Sequence, residues 1–253
     1  MKLIIKIIII FLISITLNAK EIGETEITTE DGIEVFQNEK FYLLKKNVKI
    51  HSDNFILSAD EVKINFDKSL YDITELDAYG SVDFKSDAFK ISGNGNFLNF
   101  KVKIEKIKVE GKGSQLITSD VKMFSDGFID VSNLNGDFLL KGTNSKLVNE
   151  NIIIKAESIN GNFYENGNVK EITYLEVIDK NISYVKNNDT EMYAKKINFD
   201  YDTSIIELID DVIIIRNEEK ITGDYGTLDT RNNSYKIKSN NQNKVKVTIQ
   251  NNE

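Results

Sequence analysis

The 253-residue chain has no cysteine, no tryptophan, no proline and a single histidine, His51. Without cysteine there are no disulfides, no thiolate nucleophiles and no cysteine-bearing zinc site. One histidine excludes a two-histidine metal site and confines any Ser-His-Asp arrangement to His51 as its base. No Ser-Asp context surrounds it, so it reads as an exposed or satisfied histidine. At the usual frequency of about 5%, a chain this long carries roughly a dozen prolines. Having none suits long strand ladders, because proline cannot donate to a sheet. Basic charge is also short, with 32 Lys+Arg against 40 Asp+Glu for a net charge of −8. Phosphate neutralisation needs a basic face, so the composition reads against nucleic-acid binding.

Met1-Lys2-Leu3-Ile4-Ile5-Lys6 forms a short basic region, and Ile7 to Ile15 follows with only Ser14 interrupting. This apolar stretch is shorter than the ~20 residues a membrane-spanning helix needs. It fits an export signal at residues 1–19 cleaved after Ala19, with an uncleaved N-terminal anchor as the alternative because Leu17 is bulky for the −3 position. Cleavage removes Lys2 and Lys6 and leaves a net charge of −10. The export signal and the absent cysteines point to a periplasm.

Residues 20–253 read as a single all-β domain. Val48-Lys49-Ile50, Val62-Lys63-Ile64-Asn65-Phe66, Val82-Asp83-Phe84, Val102-Lys103-Ile104 and Val245-Lys246-Val247-Thr248-Ile249 alternate apolar with polar. Asp31-Gly32, Asp126-Gly127, Asn135-Gly136, Asn160-Gly161 and Asn166-Gly167 read as turns. The stretch from Val48 to Ile73 aligns without gaps on Val212 to Ile237, and a shift of 34 places it on Val82 to Ile107. A further copy runs through Met192-Tyr193-Ala194-Lys195; Ile154-Lys155-Ala156-Glu157 and Ile117-Thr118-Ser119-Asp120 are weaker ones. The unit is apolar–x–small–polar, and the small residue (Ala59, Gly93, Ala156, Ala194 or Gly223) is expected where the chain bends between sheet layers.

Asn47-Val48-Lys49-Ile50 followed by Leu57-Ser58-Ala59-Asp60-Glu61-Val62 resembles the repeat of the LptA/OstA-like family of lipopolysaccharide-transport proteins. Asp211-Val212-Ile213-Ile214, then Ile221-Thr222-Gly223-Asp224 and Tyr235-Lys236-Ile237, is similar to a second copy. The resemblance implies an elongated β-jellyroll, open as a V, whose apolar interior holds the acyl chains of lipid A. It also implies head-to-tail stacking, by edge-strand pairing, with copies of itself and with sister jellyrolls at the inner and outer membranes. On this reading the lining is Val48, Ile50, Leu57, Ile64, Phe66, Val82, Phe84, Phe89, Ile91, Leu98, Phe100, Ile214, Ile221 and Leu228. Alternation alone describes a closed, dry core equally well.

The remaining features point away from chemistry. Asp200 and Asp202 lack the glycine-containing loop of a calcium site and read as a polar turn. Gly111-Lys112-Gly113-Ser114 and Gly93-Asn94-Gly95 match neither a P-loop nor a dinucleotide fingerprint and read as strand-end turns. Lys101, Lys103, Lys106, Lys108 and Lys112 against Glu105 and Glu110 give a local charge of +3, either a phosphate-facing patch or a solvated face that blunts an edge. Glu26 to Phe36 and Val245 to Ile249 are expected to be the outermost strands. The expectation is a non-enzymatic protein without cofactor or metal that bridges the two membranes. The alternatives are an anchored LptC-like member of the same pathway and a structural β-repeat protein that carries no lipid.

Overall fold

The computed structural model describes residues 25–69, 72–150, 152–166, 169–232, 234–240 and 244–249. The export signal expected at residues 1–19 and Gly167 of one expected turn lie outside the described residues. Among the described residues eighteen strands follow one another: β1 (Glu26–Thr28), β2 (Ile33–Phe36), β3 (Phe41–His51), β4 (Phe55–Phe66), β5 (Ile73–Ser86), β6 (Ile91–Lys101), β7 (Lys106–Glu110), β8 (Ser114–Thr118), β9 (Val121–Ser125), β10 (Phe128–Ser132), β11 (Asp137–Asn149), β12 (Ile152–Asn166), β13 (Val169–Asn187), β14 (Thr190–Asp200), β15 (Ile205–Arg216), β16 (Glu219–Asp229), β17 (Ser234–Lys238) and β18 (Lys246–Ile249). One 3₁₀ turn at Val102–Ile104 interrupts them. The fold is all-β, as the alternation predicts, and is the elongated jellyroll that the resemblance implies.

Every strand pair is antiparallel, and most follow chain order as hairpins. The long ladders break register near the middle, and β4–β5 and β12–β13 break a second time near one end. The breaks fall between Lys45 and Val48 in β3, Tyr79 and Val82 in β5, Lys141 and Ser145 in β11, Ile178 and Ser183 in β13, and Ile209 and Val212 in β15. Such bulges bend a strand and raise its twist. Here they line up, so the whole meander folds lengthwise into two layers. Residues 41–45, for example, pair in the first layer and 48–51 in the second. Between β7 and β8, and between β9 and β10, the bend is sharp enough to split a strand in two, yet each half still pairs within its own layer. The bends form the closed apex of a V, and the hairpins lie along its mouth.

The apex explains which residues are small. Cross-strand pairs there are Val48 with Ala59, Val82 with Gly95, Ser114 with Ser125, Ser145 with Ala156, Ser183 with Ala194, and Val212 with Gly223. A Cβ at Gly95 would meet Val109 Cγ1 at 2.7 Å and one at Gly223 would meet Ile237 Cγ2 at 2.5 Å, so larger side chains do not fit at these positions. The bends also take carbonyls out of the ladder, and a buried carbonyl without a donor is costly. Four buried serines donate to them: Ser114 Oγ to Gly111 O at 2.7 Å, Ser145 Oγ to Gly142 O at 2.8 Å, Ser125 Oγ to Lys141 O at 3.0 Å and Ser183 Oγ to Lys195 O at 3.2 Å. Gly142 has a φ of 138° and its absent Cβ would sit 2.5 Å from Gly127 N, so only glycine fits that corner.

Five expectations need correction. Val102-Lys103-Ile104, expected as an alternating strand, is the 3₁₀ turn between β6 and β7, followed by Glu105 at a φ of 47°. Asn160-Gly161 lies inside β12, and Gly93-Asn94-Gly95 lies inside β6. In each case a cross-strand phenylalanine covers a glycine, Phe138 over Gly161 and Phe84 over Gly93, so the glycine makes room for a ring. The apex position of β6 is Gly95, because the hairpin after β5 is longer than the one after β3 and the ungapped shift slips by two residues. Ile117-Thr118-Ser119-Asp120 is the β8–β9 hairpin, with Val121 N donating to Thr118 Oγ1 at 3.0 Å. The true copy there is Met123-Phe124-Ser125-Asp126, whose small residue is a serine.

Candidate binding groove

Inward-facing residues of both layers make one apolar cluster running the length of the V. Val48, Ile50, Leu57, Ile64, Phe66, Val82, Phe84, Leu98, Ile214 and Leu228 are buried in it, and Ile221 is buried outside it. Ile91 and Phe100 are partly buried against it. Phe89 sits in the β5–β6 hairpin and remains 39% exposed. The structure therefore places thirteen of the fourteen expected lining residues on inner faces of the double layer and the fourteenth at its mouth.

Along the mouth the two layers part over two apolar slots. The first has a volume of only about 60 Å³ and is walled by Phe55, Phe84, Phe89, Phe100, Leu116 and Met123 among others. Phe89 comes from the second layer's rim and Phe100 from the first layer's end of β6. Their rings meet edge-on at 5.7 Å across the gap. The second slot has a volume of about 430 Å³, within the ~300–1,000 Å³ range of small-molecule sites. Ile152 and Val185 of the second layer face Ile172, Leu175, Ile197, Phe199 and Ile206 of the first, and Asn149, Glu171, Asn187, Tyr201 and Thr230 complete its lining.

None of these wide-slot residues is among the fourteen. β14 carries the same alternation, as Ile197-Asn198-Phe199 shows, whereas Ile152-Ile153-Ile154 of β12 is an apolar run in which the inward side chain is not marked by alternation. Among the described residues no group of three or more His, Asp or Glu side chains could hold a metal ion.

Of the five lysines expected as a positive patch, the four at 101–108 each have an acidic partner, which leaves Lys112 outside these pairs. Lys101 pairs with Glu75 at 3.8 Å, Lys103 with Asp67 at 4.0 Å, Lys106 with Asp130 at 3.0 Å, and Lys108 with Glu110. Lys108 Nζ also lies 4.8 Å above the Phe128 ring. Glu75, Asp130 and Asp67 come from β5, β10 and the β4–β5 turn, so counting charges along one segment missed them, while Glu110 lies on β7 itself. Asp200 caps its turn, accepting from Thr203 N at 3.0 Å.

Tyrosines on the outer faces titrate late. Burial first, then a 3.0 Å hydrogen bond to Glu191, pushes Tyr193 up to about 12. Burial likewise raises Tyr184, whose ring centroid is 5.0 Å from that of Tyr193. Tyr225 is raised chiefly by donating to Glu207 Oε1 at 2.6 Å.

Both ends of the V leave inner surface uncovered. At one end Ile33 and Val35 of β2 lie opposite Leu44 and Tyr42, on the inward side, yet are half exposed. At the other, Val247 of β18 lies opposite Ile221 and is 55% exposed, with Ile249 on the same face. β1, β2 and β18 are outermost strands, as the sequence predicts, and β17, which the sequence did not place at an edge, shares the second end with β18. Among the described residues their outer edges have no partner strand.

No protein-family model and no curated protein matches the chain. Among solved structures it is similar to LptH of Pseudomonas aeruginosa, described as the LptA-homologous periplasmic component of the conserved lipopolysaccharide transport device. The identity is 11%, with 90% of this chain and 96% of that chain covered, and the TM-score is 0.23. A likeness at that level transfers neither fold nor function, and both rest on the geometry and residues of this chain.

Proposed function

We propose that this chain is a periplasmic lipopolysaccharide-binding transport protein. It carries acyl chains between the inner and outer membranes without catalysing a reaction. The observation that carries the proposal is the wide apolar slot of about 430 Å³ along the mouth of a V whose apolar interior is open at both ends. The sequence resemblance to the LptA/OstA-like repeats supports the same reading. Each buried methylene is worth roughly 0.8 kcal/mol, so a 14-carbon chain in water costs on the order of 10 kcal/mol. A lipid bearing several such chains does not cross water unaided, but along a continuous apolar groove successive positions differ little in energy. Unpaired edges at both ends suit extension of the groove by strand addition to a second copy or to a sister jellyroll. Residues 1–19, cleaved, give a soluble bridge; retained, they give the anchored member of the same pathway.

Site-specific photocross-linking tests the proposal. A photoreactive residue at Ile197 or Val185, inside the wide slot, is expected to capture lipopolysaccharide in cells, and one at outward-facing Tyr193 is not. Phe84→Asp or Ile91→Asp is expected to abolish capture in a protein that still folds. Equal labelling at inner and outer positions, or none at either, refutes the proposal. The near-closed first slot favours the second reading, a dry structural repeat, and total absence of capture selects it.

A further inference from the structure

Beside the wide apolar slot lies a polar one of about 410 Å³, lined by Asn187, Asn188, Asp189, Thr190, Arg216, Asn217 and Thr230 above buried Met192 and Leu228. The two share Asn187 and Thr230, so an apolar space opens directly into a polar one. The polar slot is built from two hairpins of the second layer's rim, β13–β14 and β15–β16, and from the end of β16 in the first.

Its lining is mostly amides and hydroxyls. The only charges in it are Asp189 and Arg216, which balance, and the adjoining apolar slot adds Glu171 without a cation. A phosphate or carboxylate head needs an excess of cationic donors, and a cationic head needs an excess of carboxylates or an aromatic cage. Neither surplus is present. Side-chain amides, which both donate and accept, match a head that does the same through several uncharged groups. We infer that this end of the groove is a composite amphiphile site. The wide slot takes one alkyl chain, and the amide-lined slot takes an uncharged, hydroxyl-rich sugar head attached to it. The inference rests on the acyl-carrying reading above and specifies which part of the lipid the rim recognises; anionic substituents are directed away from this rim.

The test uses the exported chain and three twelve-carbon amphiphiles below their micelle concentrations: dodecyl maltoside, dodecyl phosphate and dodecyltrimethylammonium. Each displaces N-phenyl-1-naphthylamine, a probe that fluoresces in apolar sites. One or two net hydrogen bonds correspond to about tenfold, so the maltoside is expected to displace the probe at roughly one-tenth the concentration the phosphate requires. Thr190→Val, at a residue that lines the polar slot and not the apolar one, is expected to shrink that difference and leave displacement by the phosphate unchanged, with the circular dichroism spectrum preserved. If the three heads displace equally, or the phosphate leads, the sugar site is overturned and the acyl reading stands. If a bound probe is displaced by none of them, the acyl reading itself falls, and the head site with it.

Discussion

Phe89 is one of the fourteen residues expected to line the groove, but its ring bridges the mouth to Phe100, which makes it a clasp over the narrow slot. The two roles make opposite predictions for Phe89→Ala. A fully buried phenylalanine is worth roughly 1.5–3 kcal/mol, and an edge-on aromatic pair adds about 0.5–1.5 kcal/mol. Phe89 is 39% exposed, so the burial part scales down. The variant is expected to lose roughly 2–3 kcal/mol in urea unfolding followed by circular dichroism. The same deletion opens a slot of only about 60 Å³. Room for about three more methylenes, at ~0.8 kcal/mol each, gives a gross gain of roughly 2.4 kcal/mol. Ordering the added length offsets part of this, leaving about tenfold tighter binding. Probe displacement by octyl and tetradecyl chains reads it: the long chain gains and the short one, already satisfied by the wide slot, does not. A variant that loses stability and long-chain affinity together refutes the clasp and makes Phe89 an ordinary lining residue.

Ser125→Ala removes the acceptor for Gly127 N at 3.1 Å and the donor to Lys141 O at 3.0 Å, and is expected to cost about 1–3 kcal/mol in the same unfolding assay; a neutral result contradicts the role of the apex serines. The late-titrating tyrosines fix the alkaline limit. A raised folded value means stability is complete below the unfolded value near 10.0 and is lost as pH rises through the folded value, about 12 for Tyr193. Unfolding and tyrosinate absorbance are therefore expected to rise together in that window, and tyrosinate appearing at normal pH in folded protein would contradict it. On the acid side, the Asn144 amide and the Gly113 N–H hold Asp126 below its usual 3.8, so its stabilising contribution is lost as pH falls through that lowered value. Val247→Lys with Ile249→Lys places charge on an exposed edge; it is expected to reduce self-association in sedimentation velocity and to change stability by no more than ~0.5 kcal/mol.

The alternation of β3 to β6 and of β15 and β16 was legible because their inner faces are Val, Ile, Leu and Phe at strict spacing, and their apex residues are Val, Ala or Gly. The middle of the chain builds the same double layer but was hard to match. Its apex residues are Ser114, Ser125, Ser145 and Ser183, where a hydroxyl does what a valine or glycine does elsewhere and also satisfies a freed carbonyl. β13 widens its bend to the four residues between Ile178 and Ser183, which defeats an ungapped comparison. Asn160-Gly161 misled because Asn-Gly reads as a turn locally, and only the tertiary position of Phe138 makes it strand. The wide slot escaped notice for a different reason. Alternation identifies inward residues but not where two layers part, and that depends on side chains facing across the V, such as Val185 and Ile197.

The acyl-carrying role is most directly tested by native mass spectrometry of the protein purified from cells without detergent. The expected spectrum shows a chain beginning at Lys20 with a lipopolysaccharide-mass adduct and a ladder of oligomers. Val185→Trp combined with Leu175→Trp, which fill the wide slot, is expected to remove the adduct while the protein stays folded. A lipid-free monomer that also takes up no added lipopolysaccharide would contradict the groove and identify the double layer as a dry structural scaffold.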